Sequence, residues 1–167
     1  VGSVVRNYTV EGSAESELLR QFYQAFVTVE QQLEKNGIVL DGCVRDIFSA
    51  AVIAFYLLFY THPFIGEEYS HLMREQYLEY FQSHPVFLFD AGGHNGTGHH
   101  QFGAEITAQW WRAQPELRQL FSDFFAALCA GQIDENAPWN DTENWIRCLL
   151  EDAAVNDNDK SRTSYEL

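Results

Sequence analysis

The sequence has little positive charge and no place where it gathers. Ten Lys and Arg stand against twenty-four Asp and Glu, a formal net charge of −14 with a pI near 4.6. The cationic residues fall singly from Arg6 to Arg162. A DNA- or RNA-binding surface needs a basic stripe that neutralises phosphates and releases counterions. Direct nucleic-acid binding and docking on anionic lipid are therefore not expected. Cysteine is also scarce: Cys43, Cys129 and Cys148 form no CxxC or other zinc-like spacing, and an odd count does not build a closed disulfide framework. Each lies in an apolar helical context, where a free Cys packs as a small hydrophobe.

Complete catalytic motifs are lacking as well. No GxGxxG precedes a helix, no Walker lysine is present, and no GxSxG elbow occurs. The string His62-Pro63-Phe64 resembles the opening of the adenylylating Fic motif. That pattern continues with an acidic residue, Gly-Asn-Gly and a distal Arg that grip phosphates. Here Gly66 is followed by Glu67 and Glu68, which repel phosphate, so Fic chemistry is not expected.

What the chain does have is rings: thirteen Phe, eight Tyr and four Trp, side chains that dominate cores and interfaces. With 167 residues and 46% apolar composition, one domain can bury a sizeable core without a metal or disulfide staple. Periodicity predicts an all-α fold. Leu18, Leu19, Phe22, Phe26, Val29 and Leu33 mark an amphipathic helix over 13–36, stopped by Gly37. The stretch Ile47 to Tyr60 is nearly all apolar, shorter than a membrane span, and reads as the central helix of a bundle over about 41–61. Gly66 to Ser83 is expected to be helical, with Tyr69, Leu72, Met73 and Tyr80 on its inner face. Val86–Phe89 reads as a buried turn or an isolated strand.

A helix over 101–113 carries Trp110 and Trp111, and another opens at Pro115 and stops at Gly131. A last helix is expected to be capped by Asn140 in a box with Glu143 and to bury Trp145, Ile146, Leu149 and Leu150. The expected architecture is thus a single bundle of about six helices, with a flexible arm over 1–12, the helical domain over 13–155 and a frayed polar tail over 156–167.

Two sites compete. In the first, acidity and exposed rings make a docking face for a protein partner of basic character. Trp110, Trp111 and Trp139 act as anchors beside Asp134, Glu135 and Asp141, and the chain is a non-enzymatic interaction or regulatory domain without a cofactor. About half of the net negative charge lies over 132–159, and a nucleic-acid mimic is one subclass of this reading. In the second, the glycine- and histidine-rich loop 92–100 of a helical enzyme or sensor holds a divalent transition metal or a small ligand. Its ligands would be His94, His99 and His100, joined by the Glu-x-x-His pair Glu68 and His71. One Glu-x-x-His copy is half of what a di-iron bundle needs, so the docking face is the leading expectation. A cytoplasmic location is expected from the cysteines. Three sequons, at Asn7, Asn95 and Asn140, keep a secreted origin open.

Overall fold

The computed structural model describes residue 35, residues 42–73, 76, 79–80, 85–98 and 100–165, with side chains as far as 157. The expected arm over 1–12, most of the helix over 13–36 and His99 lie outside the described residues. Among those described, the chain is mostly helical and contains no strand. Its four α-helices are α1 (Gly42–Phe59), α2 (Gly103–Arg112), α3 (Pro115–Ala130) and α4 (Thr142–Tyr165).

α1 is the central element. Its inner face, Val44, Ile47, Phe48, Ala51, Val52, Phe55 and Phe59, is buried at the i, i+3, i+4 spacing of one helix side. Among the described residues it is the one helix long and apolar enough to cross a membrane, yet this face is packed inside the protein against α2 and α3. Phe55 is the hub. Its ring meets Phe59, Phe87, Trp110, Phe121 and Phe125 at centroid distances of 4.7 to 6.1 Å, mostly edge to face. Such geometry sets the positive ring edge against the negative ring face. α1 stops at Phe59 because Tyr60 turns into the left-handed region at φ 56, its N–H still bonded to Tyr56 O.

α3 is framed by local chemistry. Pro115 sits in its first turn, and Gly131 closes it at φ 65, with Gln132 N–H returning to Ala127 O. α4 is capped by Asp141, whose Oδ1 accepts the Glu143 N–H at 2.9 Å. Asn140, the expected cap, instead closes a 3-10 turn over Pro138–Asn140 and donates its side-chain amide to Glu135 O. The tail expected to fray from Asn156 continues α4 through Tyr165. α3 and α4 are tied by Asp152, buried at their junction: Oδ1 accepts the Gln114 N–H at 2.7 Å and Oδ2 accepts from Asn156.

The start of the helix expected from Gly66 is replaced by a 3-10 turn over Glu67–Tyr69 followed by a turn and bend at 70–72, while Glu79 and Tyr80, near its expected end, are helical. The backbone N–H groups that would start an α-helix are used elsewhere. Glu67 N–H donates to Gly96 O at 2.7 Å, and Glu68 N–H to Asn95 Oδ1 at 3.3 Å. Met73, placed inside by periodicity, is exposed. Val86–Phe89 forms a turn that buries Phe87 and Leu88, with Leu88 N–H on Pro63 O.

Candidate functional site

The glycine- and histidine-rich loop is held by two side chains. Asp90 gathers its near half: Oδ1 accepts from the backbone of His94 and Asn95, and Oδ2 from Gly92. Asn95 is the buried bolt. Its amide nitrogen donates to Phe64 O and Val86 O at 3.0 and 3.1 Å, and its oxygen accepts from Glu68 and Gly96. With both donors and both lone pairs used, the side chain fastens the loop to the 62–69 segment. Asn95 is the asparagine of a sequon, and its nitrogen is committed inside the protein.

Of the expected metal ligands, His99 lies outside the described residues and the other four are in local contacts. His94 is exposed, with Nδ1 2.8 Å from Asp90 Oδ2. His100 uses Nδ1 to accept the Phe102 N–H at 3.1 Å. Glu68 lies in the 3-10 turn and His71 just after it, and both meet Tyr80: Glu68 accepts a 2.5 Å hydrogen bond from the Tyr80 hydroxyl, and His71 packs edge-on to the Tyr80 ring. The carboxylate raises the Tyr80 pKa above its ordinary value. Among the described residues no three His, Cys, Asp or Glu side chains converge to hold a metal ion.

His62 is buried, with Nδ1 accepting the Phe64 N–H. Desolvation lowers its pKa from 6.5 to about 3, so the ring is neutral in the folded protein. Two of the three thiols, Cys129 and Cys148, are likewise quiet. Burial pushes Cys129 up to about 12, and desolvation raises Cys148. A thiol that stays protonated is a poor nucleophile. Cys43 is exposed.

The candidate docking residues divide. Trp110 is buried and stacks on Phe89, with centroids 4.5 Å apart and planes 6° from parallel. Trp139 is buried against Phe124, and its carbonyl accepts the Trp145 indole N–H at 2.8 Å. Both rings belong to the core and are not available as surface anchors. Trp111 is 65% exposed, with the Arg118 guanidinium 4.6 Å above its ring. Asp134, Glu135 and Asp141 are exposed near the start of α4, where Asp134 and Asp141 also bond local backbone.

Sequence reasoning missed the other apolar surface. Ile146 and Leu150, expected in the core, are 54% and 66% exposed. With Trp145 and Leu149 facing inward, the four residues span too wide an arc for one neighbouring layer to cover. Beside them an open groove of about 370 Å³ runs between α1 and α4, lined by Cys43, Asp46, Ala50, Ala54, Trp145 and Leu149 among others. The only sequence sign of it is small residues at positions 50 and 54 on a helix apolar all round. The chain matches no protein-family model, no curated protein and no solved structure.

Proposed function

We propose that the chain is a non-enzymatic docking domain that binds a basic protein partner along the exposed side of α4. One observation carries the reading: α4 leaves Ile146 and Leu150 side by side in solvent, with Glu143 one turn before them and Glu151 beside them. Apolar area flanked by Glu143 and by the exposed Arg147–Glu151 ion pair suits a partner that offers apolar side chains with Lys or Arg toward Glu143. The field of the whole chain, at −14, steers such a partner toward it. The apolar pair interrupts the acidic row, which favours an ordinary docking face over imitation of a phosphate backbone.

The test uses the immobilised full chain and its Ile146→Asp/Leu150→Asp variant, each challenged with lysate from the source. A basic protein retained by the first, lost from the second and released by moderate salt is the expected outcome. Identical retained sets would overturn the assignment of α4.

A further inference from the structure

We infer that the groove between α1 and α4 seats one α-helix of a partner protein, a helix with apolar side chains on one face and lysine or arginine at its border. The inference rests on the docking reading in one respect, that the chain works by binding protein. It adds a second surface and the shape of its occupant.

The dimensions come first. From Cys43 to Ala54 the groove follows α1 for about three turns, roughly 16 Å at 1.5 Å per residue. Across from it, Thr142, Trp145 and Leu149 follow α4 for two turns. The α1 wall carries Ala50 and Ala54, whose side chains end at Cβ, so a third helix can approach to the 8–10 Å usual between packed axes. Leu57, one heptad beyond Ala50 and 67% exposed, extends the apolar strip past the groove's end.

The backbone narrows the choice of occupant. Beyond their first turns the N–H and C=O groups of α1 and α4 are spent on their own helices, and a helix offers no sheet edge to an incoming strand. Recognition must be between side chains, as when an amphipathic helix lies in an apolar groove.

Charge supplies the last element. Asp46 is the single charged residue among those lining the groove, and no Lys or Arg lines it. Thr142, also in the lining, stands between exposed Asp141 and Glu143. The partner helix therefore sets its cationic residues toward the Asp46 end and its apolar residues toward Ala54 and Leu57.

The test uses the full chain and a synthetic amphipathic peptide of alanine, leucine and lysine, with glutamate-for-lysine and scrambled versions as controls. Cys43 lines the groove and is exposed, whereas the half-buried Cys129 and buried Cys148 thiols have raised pKa values and stay protonated, so maleimide labelling followed by intact mass reports the groove directly. The lysine peptide should slow Cys43 labelling at least about fivefold, and the controls should not. Ala50→Trp, which fills the groove, should weaken binding about tenfold or more. Asp46→Lys, an exposed change that does not threaten folding, should weaken it several-fold.

Peptide binding with Cys43 labelling unchanged, or an affinity indifferent to both substitutions, would overturn the groove while leaving the α4 docking face standing. Equal binding of the glutamate peptide would overturn the charge assignment. Cys43 that resists labelling in the free chain would show the groove filled by the chain itself, which also overturns the inference. Loss of Ile146 and Leu150, which lie outside the groove, should leave peptide binding intact.

Discussion

The side-chain oxygen of Asn95 occupies the place where a side chain on residue 66 would begin. A Cβ on Gly66 would lie 2.3 Å from Asn95 Oδ1, 2.4 Å from Leu88 Cδ1 and 2.5 Å from Gly96 O. Two of these three neighbours are fixed, one by four hydrogen bonds and one by the Glu67 N–H. Gly66→Ala therefore has to part the loop from the 62–69 segment. It should cost about 2–4 kcal/mol by urea unfolding, in the range of overpacking plus lost buried hydrogen bonds. Asn95→Asp tests the same joint by chemistry. A carboxylate cannot donate to Phe64 O and Val86 O and faces both carbonyls with negative charge, so a loss of about 3 kcal/mol is expected. Stability within about 0.5 kcal/mol of the parent for either variant would show that the loop is not fastened there.

Asp152 makes a sharper comparison. Its carboxylate accepts the N–H of Gln114, the residue before Pro115, at the positive end of the α3 dipole. Asp152→Asn keeps an oxygen for the Gln114 N–H, and a flipped Asn156 amide can accept from its new NH2, so it should lose under about 1 kcal/mol, chiefly the charge–dipole part. Asp152→Ala leaves the Gln114 N–H unsatisfied and should lose about 2–3 kcal/mol. Equal losses for the two variants would mean that the carboxylate does not act through this hydrogen bond. Chemical denaturation of the two purified variants measures the difference.

His62 gives the chain a pH dependence of known sign. Its folded pKa, about 3, lies below the ordinary 6.5, so between these values the unfolded chain binds the extra proton. Stability from this group is complete above about pH 6.5 and falls as pH drops toward 3, with a slope of up to about 1.4 kcal/mol per unit. His62→Asn keeps an acceptor near the Phe64 N–H but cannot take up a proton. Between pH 7 and pH 5 the parent should lose about 2 kcal/mol more than the variant. Parallel stability curves over that interval would refute the buried neutral imidazole.

What the sequence disclosed and what it hid divide by range. α3 was legible almost to the residue because Pro115 and Gly131 act on their own neighbours, and α1 because a continuous apolar run can hardly be placed elsewhere than a core. The cap of α4 was misplaced by one residue, since Asn140 and Asp141 are both good caps and only the 3-10 turn decides between them. The start of the helix expected at Gly66 is lost to a partner 27 residues away: Asn95 takes the Glu68 N–H, and no window of local periodicity contains that competition. The candidate site suffered most. Trp111 on one side of α2 and Trp110 on the other look alike in a string of letters, and only the position of Phe89 separates core from surface. Ile146 and Leu150 read as core because periodicity counts apolar residues without knowing how many layers are present to cover them.

The end of α1 offers a stabilising change. Tyr60 sits at φ 56, where a Cβ crowds the backbone, and its ring is 71% exposed and contributes little packing. Relieving that conformation is worth about 1–2 kcal/mol. The greater freedom of glycine in the unfolded chain returns about 0.5–1 kcal/mol of it. Tyr60→Gly should therefore stabilise the protein by about 0.5–1 kcal/mol, which raises Tm by roughly 1–4 °C for a chain of this size. Tyr60→Ala removes the same ring and keeps the Cβ, so its Tm should stay with the parent. If alanine stabilised as much as glycine, the gain would come from removing an exposed ring and not from the backbone. A Tm lowered by glycine would mean that Tyr60 holds the turn into His62 by contacts stronger than its strain. Thermal unfolding of the three proteins side by side distinguishes these cases, because they differ only in which atoms follow Cα at one exposed position.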